Sequence, residues 1–287
     1  MTISRMSLAY MPEFNAFGIA DSKLESLPPR VIPVLTLSDE CYDTLGIRPP
    51  VGAPKVGFLM GREDGYYTID FNYAYAIVAS GMEPVLMDYF YCTEQLFDCS
   101  GLILPGGSFE SPAWYYSDDK SLDRSEYPNK RSKAYGYSLY TALHMGIPIL
   151  GICAGAQVMA AEFGSHLVPK IKSRISHKTK FPHAHRVHAV NVPMMKSILG
   201  VTAIETNSRH SEGVKDFPEL DLYAVAEDGC PEMWGSVKKN MLGVQWHPED
   251  FVVQGSLTHK RVYDWLGNRA RNYQRTSFLS KSFVIHC

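Results

Sequence analysis

The chain has no pair of cysteines at redox or metal-binding spacing. Its six cysteines stand apart at 41, 92, 99, 153, 230 and 287, so neither a zinc knuckle nor a disulfide framework is indicated. No apolar run approaches the length of a membrane span, and the opening Met1-Thr2-Ile3-Ser4-Arg5-Met6 lacks the apolar core of a secretory signal. No membrane partner is expected. A large excess of either charge is missing too. The formal net charge is −2, with Lys and Arg scattered, which speaks against a nucleic-acid partner. There is no internal repeat and no low-complexity tract. Cys287 is terminal, whereas prenylation needs its cysteine fourth from the end. What remains is an ordinary globular composition, 45% hydrophobic and 20% charged, on a chain long enough to bury a large core.

Residues 1–54 read as an N-terminal extension. Leu27-Pro28-Pro29-Arg30 and Arg48-Pro49-Pro50 interrupt it, and its apolar residues lack sustained periodicity. An arm packed on the body or on a partner, or a loose tail, both fit. The regular body, 55–272, opens with a strand at 56–60. A helix over 69–80, strands at 84–87 and 101–104, a helix over 132–145 and a strand at 147–152 follow. That alternation implies a parallel sheet with right-handed crossovers. After residue 165 shorter alternating segments appear at 186–192, 222–226 and 233–237, as in antiparallel strands. A closing helix is predicted over 256–272, with 273–287 as a C-terminal tail.

The run Pro148-Ile149-Leu150-Gly151-Ile152 leads straight into Cys153-Ala154-Gly155-Ala156-Gln157 and then a helix-forming stretch. Glycines two residues to either side let a buried strand turn sharply into a helix with Cys153 at the elbow. A helix N-terminus favours thiolate, the nucleophilic form. The Ala154 N–H would then face a developing oxyanion, and Gln157, one turn on, lies on the face beside Cys153. Taken alone, a cysteine in an apolar stretch is a packing residue. A second signal changes that. His247-Pro248-Glu249 follows another apolar run, Met241 to Trp246. On an extended segment His247 and Glu249 would point to one side, so that Glu249 orients the imidazole and His247 serves as base. A third apolar run, Gly101 to Leu104, ends in Pro105-Gly106-Gly107. Glycines at the C-terminal end of such a strand bring backbone N–H groups close to a ligand, and Gly107 is the expected second oxyanion donor.

Taken in order, Leu104-Pro105-Gly106-Gly107, the Gly-x-Cys-x-Gly-x-Gln run at 151–157 and Gly243-Val244-Gln245-Trp246-His247-Pro248-Glu249 resemble the class I glutamine amidotransferase superfamily. Within it the chain is most similar to the gamma-glutamyl-gamma-aminobutyrate hydrolase branch. Thr206-Asn207-Ser208-Arg209-His210 resembles an Asn-Ser-x-His stretch there. Asp228-Gly229-Cys230-Pro231-Glu232 resembles a segment whose acidic residue faces the substrate, and His188 looks like a further family position. The implied fold is α/β: a doubly wound, mostly parallel central sheet of flavodoxin-like type with a small antiparallel addition. The implied chemistry is hydrolysis of a small gamma-glutamyl amide through a thioester on Cys153, in the cytoplasm, without a cofactor. Gly106, Gln157, Ser208, Arg209, His210 and Glu232 would bind the substrate. Two departures stand out. Ala154 replaces a large basic residue frequent in the branch, and Arg131-Ser132 stands where an Arg-Asp pair is expected. Both leave the amine open.

Weaker signals surround this core. His177, His183, His185 and His188 fall within twelve residues, but no Cys, Asp or Glu lies among them, and no metal is expected there. Tyrosines at 115, 116, 127, 135, 137 and 140 suit a core or rim better than a pocket. Three functions compete: a self-contained gamma-glutamyl amide hydrolase, a glutaminase subunit feeding a separate synthase, and a binding protein with idle chemistry. The complete triad favours the first. A homodimer and a synthase partner both remain open.

Overall fold

The computed structural model describes residues 2–28, 31–179 and 183–284. Among them, five parallel strands form the middle of a 14-stranded sheet, in the order Glu83–Met87, Lys55–Leu59, Gly101–Leu104, Ile149–Ile152 and Met241–Val244. Ile103, Leu150, Ile152, Leu242 and Val244 join a core with Ile77 of helix Phe71–Ala79 and with Val262 and Leu266 of helix Leu257–Val284. The alternate residues Leu102, Leu104, Ile149 and Met241 join a second core with Leu139 of helix Lys130–Met145 and Val158 of helix Ala154–Glu162. Successive strand residues thus serve opposite faces, and helices cover both. That is why these strands read as unbroken apolar runs.

The register positions the site. Leu104 pairs with Gly151, and Val244 with Ile152. Three strands therefore end at one edge, releasing the chain at Pro105, Cys153 and Gln245.

The expected mostly parallel sheet describes these five strands and not the flanks. Past Met241–Val244 the sheet adds Pro231–Ser236, Asp221–Ala226, His185–Ala189 and Ala203–Thr206, all antiparallel. The antiparallel addition is therefore broad rather than small. The strand expected over 186–192 stops at Ala189, because the Asn191 side chain caps helix Val192–Leu199 by accepting from the Met194 N–H at 3.1 Å.

On the other flank the segment read as an extension is built into the sheet. Val31–Leu37 meets Glu83–Met87 where Leu35 pairs with Leu86, and Thr2–Met11 runs parallel to it from Thr2 opposite Val31 to Leu8 opposite Leu37. Ala16–Ala20, Tyr66–Asp70 and Gly61–Glu63 complete that side. Pro33 sits inside Val31–Leu37, its carbonyl accepting from Gln95 Nε2 at 2.8 Å. A proline removes one donor and keeps its acceptor, so it is tolerated in a strand whose second neighbour pairs with it only at Leu35. The final helix runs Leu257–Val284, continuing through most of the segment expected as a tail; Cys287 lies outside the described residues. The described cysteines 41, 92, 99, 153 and 230 are free thiols. No helix among the described residues is long and apolar enough to cross a membrane.

Leu8, Phe17, Ile19, Leu35 and Leu37 are buried in the same core as Phe58 and Tyr73. Each such side chain contributes about 1.5–3 kcal/mol on burial, so together they rival the roughly 5–15 kcal/mol stability of a typical domain. A chain lacking residues 1–37 is expected to lose its cooperative thermal transition by circular dichroism. An unchanged melting curve would show this flank to be dispensable.

Candidate active site

Cys153 sits between strand Ile149–Ile152 and helix Ala154–Glu162 with φ 50° and ψ −109°. A non-glycine residue at such angles is strained by about 1–3 kcal/mol and persists only when its surroundings over-determine it. Here three bonds do so. The Cys153 N–H donates to the Val244 carbonyl at 2.8 Å, its carbonyl accepts from the Gln157 N–H at 3.0 Å, and the Gly155 N–H donates to the Pro105 carbonyl at 3.2 Å. A Cβ on Gly155 would collide with the Leu104 carbonyl, so only glycine lets the elbow lie this close to the next strand. Trp234 Nε1 donates to the Ala156 carbonyl at 3.2 Å from behind.

His247 Nδ1 lies 2.6 Å from Glu249 Oε1, and the ring and the Cys153 side chain both lie against Gly106. With Nδ1 committed to the carboxylate, Nε2 is the atom left for the sulfur. The expected extended geometry is not how this contact forms. Pro248 is helical, at φ −65° and ψ −25°, and Glu249 opens the short helix Glu249–Val252. The carboxylate thus reaches back across a helical turn rather than along one face of a strand.

The His247 backbone is clamped on both sides by Asn207, whose Oδ1 accepts from its N–H at 2.8 Å and whose Nδ2 donates to its carbonyl at 3.0 Å. Asn207 Nδ2 also donates to Asp250 Oδ2 at 2.9 Å, and Asn72 Nδ2 to Asp250 Oδ1 at 2.9 Å. Arg209 Nη2 lies 3.0 Å from Asp250 Oδ2 and 3.5 Å from Glu249 Oε1. Burial pulls the His247 pKa down, but the Glu249 charge, then Cys153, outweigh it and raise the value to about 10. An imidazolium beside a sulfur is the arrangement that stabilises a thiolate and holds a proton ready for a leaving group.

The loop after Gly101–Leu104 closes the site. A Cβ on Gly106 would lie 2.6 Å from His247 Cε1 and 3.1 Å from Cys153 Cβ, so a larger residue would displace the pair. The Gly106 N–H donates to Tyr73 Oη at 3.0 Å, and its carbonyl accepts from Arg131 Nη2 at 2.9 Å. Tyr135 Oη donates to the Pro105 carbonyl at 2.9 Å. Gly107 adopts φ 111°. Ala154 is the first residue of its helix, so its N–H has no intrahelical acceptor. A cleft of about 380 Å³ opens beside Gly106 and Gly107, with Arg62, Glu63, Asp70, Tyr73 and Arg131 in its wall.

The structure thus brings together Cys153, Ala154, His247, Glu249, Gly106 and Gly107. The other expected residues take different surroundings. Gln157 Nε2 is engaged by the Glu212 carbonyl at 2.9 Å and Gln245 Oε1 at 3.2 Å. Ser208 is fully buried, its hydroxyl donating to the His177 carbonyl at 2.7 Å, and the His210 N–H donates to that same carbonyl at 2.8 Å. Arg209 supports the carboxylates of Glu249 and Asp250. Glu232 is 0% exposed and faces histidines rather than the cleft. Sequence reasoning passed over Tyr73, Asn72 and Asp250 and gave Asn207 and Arg131 no role. Only Asp250, adjoining Glu249, carried a local signal.

Residues 60–249 match the Peptidase C26 family. The chain belongs to that family. It is a member of the class I glutamine amidotransferase superfamily. A Schizosaccharomyces pombe protein named "Putative glutamine amidotransferase" is 32% identical over 184 residues, covering 62% of this chain and 72% of that one. The fold is also that of a Thermoplasma acidophilum protein described as a putative GMP synthase subunit, with TM-score 0.56 and 17% identity over 78% of this chain and 98% of that one. The glutaminase domain of Trypanosoma brucei CTPS aligns with TM-score 0.52 and 15% identity over 76% and 94%.

Two outcomes follow from the family member's elbow and base. Glycine at 153 relieves the strained backbone and alanine does not, so Cys153→Gly is expected to exceed Cys153→Ala in stability by about 1 kcal/mol; equal urea midpoints would mean that the elbow carries no strain. The folded pKa of His247 lies above its ordinary 6.5, so its proton favours the folded state. That contribution is full below pH 6.5 and is lost as pH rises through about 10. Urea unfolding of wild type and His247→Gln from about pH 6 to about pH 11 should show the gap between them shrinking with pH. A constant gap would contradict the raised value.

Proposed function

We propose that this protein is a cysteine-dependent hydrolase of gamma-glutamyl amide bonds, acting through a Cys153-His247-Glu249 triad. The observation that carries the reading is the 2.6 Å contact of His247 Nδ1 with Glu249 Oε1 beside Cys153 on its strained elbow. Membership of the Peptidase C26 family supports it.

In this mechanism the Cys153 sulfur attacks the amide carbon, and the Gly107 and Ala154 N–H groups receive the oxyanion. The tetrahedral species collapses as His247 hands its proton to the leaving amine, forming a thioester on Cys153. His247, now neutral, takes a proton from water, whose oxygen attacks the thioester and releases glutamate and the free thiol. Glu249 keeps the imidazole in the required tautomer throughout. Arg209, exposed and 3.5 Å from Glu249, would meet a substrate carboxylate, while Ser208 and His210 would act through the packing of their segment. The cleft beside Gly106 and Gly107, with Glu63, Asp70 and Arg131, is where the amine would lie. A free active thiol suits a reducing cytoplasm.

A second reading, a glutaminase delivering ammonia to a separate synthase, draws on the likeness to a protein described as a GMP synthase subunit. The two differ in what the lone chain can do. Purified protein is expected to release glutamate from at least one member of a panel of glutamine and gamma-glutamyl amines. Cys153→Ala should lose about 10³-fold or more in kcat, and Glu249→Gln should fall by a smaller factor with KM little changed. Turnover of glutamine alone, rising only when a synthase is added, would establish the second reading; no turnover under either condition would sink both.

A further inference from the structure

Outside the triad, four buried side chains converge from separate parts of the chain. His177 comes from the loop before the antiparallel flank, His185 from strand His185–Ala189, His210 from the loop after Ala203–Thr206, and Glu232 from strand Pro231–Ser236. All four are at least nine-tenths buried. Glu232 Oε1 lies 3.5 Å from His177 Nδ1, 3.1 Å from His185 Nε2 and 3.5 Å from His210 Nε2. Yet these three nitrogens and both Glu232 oxygens lack a partner at hydrogen-bonding geometry. The atoms crowd together without pointing at one another.

The outer nitrogen of each ring explains what they point at. His177 Nε2 lies 2.9 Å from Asp228 Oδ2, His210 Nδ1 lies 2.8 Å from the Glu212 carbonyl, and His185 Nδ1 lies 3.5 Å from the Ser176 carbonyl. Those acceptors place the ring proton on the outer nitrogen, leaving an inward lone pair on each ring. Three lone pairs and a carboxylate crowded into a buried space repel unless a proton or a metal cation lies among them. An imidazole bonded outward to a carboxylate or carbonyl, with its other nitrogen turned inward, is the arrangement seen around metal-bound histidines. The spacing agrees. Ligands at 2.0–2.1 Å from a tetrahedral zinc lie about 3.3 Å apart, and the distances to Glu232 Oε1 run from 3.1 to 3.5 Å.

We propose that His177 Nδ1, His185 Nε2 and Glu232 bind one divalent metal ion, zinc by its nitrogen and oxygen donors, with His210 beside the site. These three present ligand atoms within 4.8 Å of one another, and His210 Nε2 lies 3.5 Å from Glu232 Oε1. Full burial marks the ion as structural rather than catalytic. It would pin the loop of His177 to the flank strands, and the loop of His210 is bonded to it through the His177 carbonyl. The second loop also carries Asn207, which clamps the His247 backbone.

The test starts from the full chain. Elemental analysis is expected to find about one zinc per chain. Stripping with a chelator should lower the melting temperature, and zinc added back should restore it. Cobalt in place of zinc should give the intense visible absorption of a tetrahedral site. Asp228→Asn, which alters the outer partner of His177, should weaken zinc binding by about 10–100-fold while the chain still folds. Glu232→Gln should weaken it further. A stripped chain that stays folded, takes up neither zinc nor cobalt and melts at an unchanged temperature would overturn the proposal. So would zinc retained at full occupancy in a folded His177→Ala/His185→Ala variant. None of these readouts depends on the thiol chemistry.

Discussion

The site depends on holding Cys153 at an unfavourable backbone angle between two neighbouring strands. The residue is strained at φ 50°, and a flexible loop would relax it. Relaxation is blocked because the Cys153 N–H is bound to Val244 on one side while the Gly155 N–H is bound to Pro105 on the other. Those two acceptors belong to the chain ends that supply the base and the glycine loop. The bonds that impose the strain also bring the three active segments within reach of one another. Parallel pairing makes this possible, since only parallel neighbours end together at one edge of a sheet.

Behind His247 lies a buried polar network whose members hold one another, although Glu249 Oε2 has no hydrogen-bond partner. Asn207 holds the backbone, Glu249 holds the ring, and Asp250 ties Asn207, Asn72 and Arg209 together. In a low-dielectric interior such a network is stiff when complete and costly when broken. The segment 207–212 belongs both to this network and to the histidine cluster around Glu232. Its backbone N–H groups at 208 and 210 are spent on the 177–179 loop. Two buried polar centres therefore constrain one short segment from opposite ends.

The active-site edge was legible in the sequence because its demands are local. A cysteine between two glycines, a Pro-Gly-Gly after an apolar run and a His-Pro-Glu after another each need specific residues at fixed short spacing. Central strands covered on both faces read as continuous apolar runs for the same reason. The first flank was not legible. Val31 to Leu37 has apolar residues on both faces and a proline within, and Leu27-Pro28-Pro29 before it reads as a break. Its strand exists because Thr2–Met11 pairs with it along its length, and no local pattern reports a partner that far back in the chain.

By itself, the sequence determined the cysteine elbow, the His-Pro-Glu turn and the glycine loop, since each is fixed by steric and chemical requirements within a few residues. Tertiary structure alone decided what surrounds them. It brought Tyr73 to Gly106, Arg131 to the loop carbonyl and Asn207 to His247. It also carried Glu232 into a group of histidines that, along the chain, have no acid among them. Contacts between residues tens of positions apart follow from strand order and register, and those emerge only when the whole sheet is assembled.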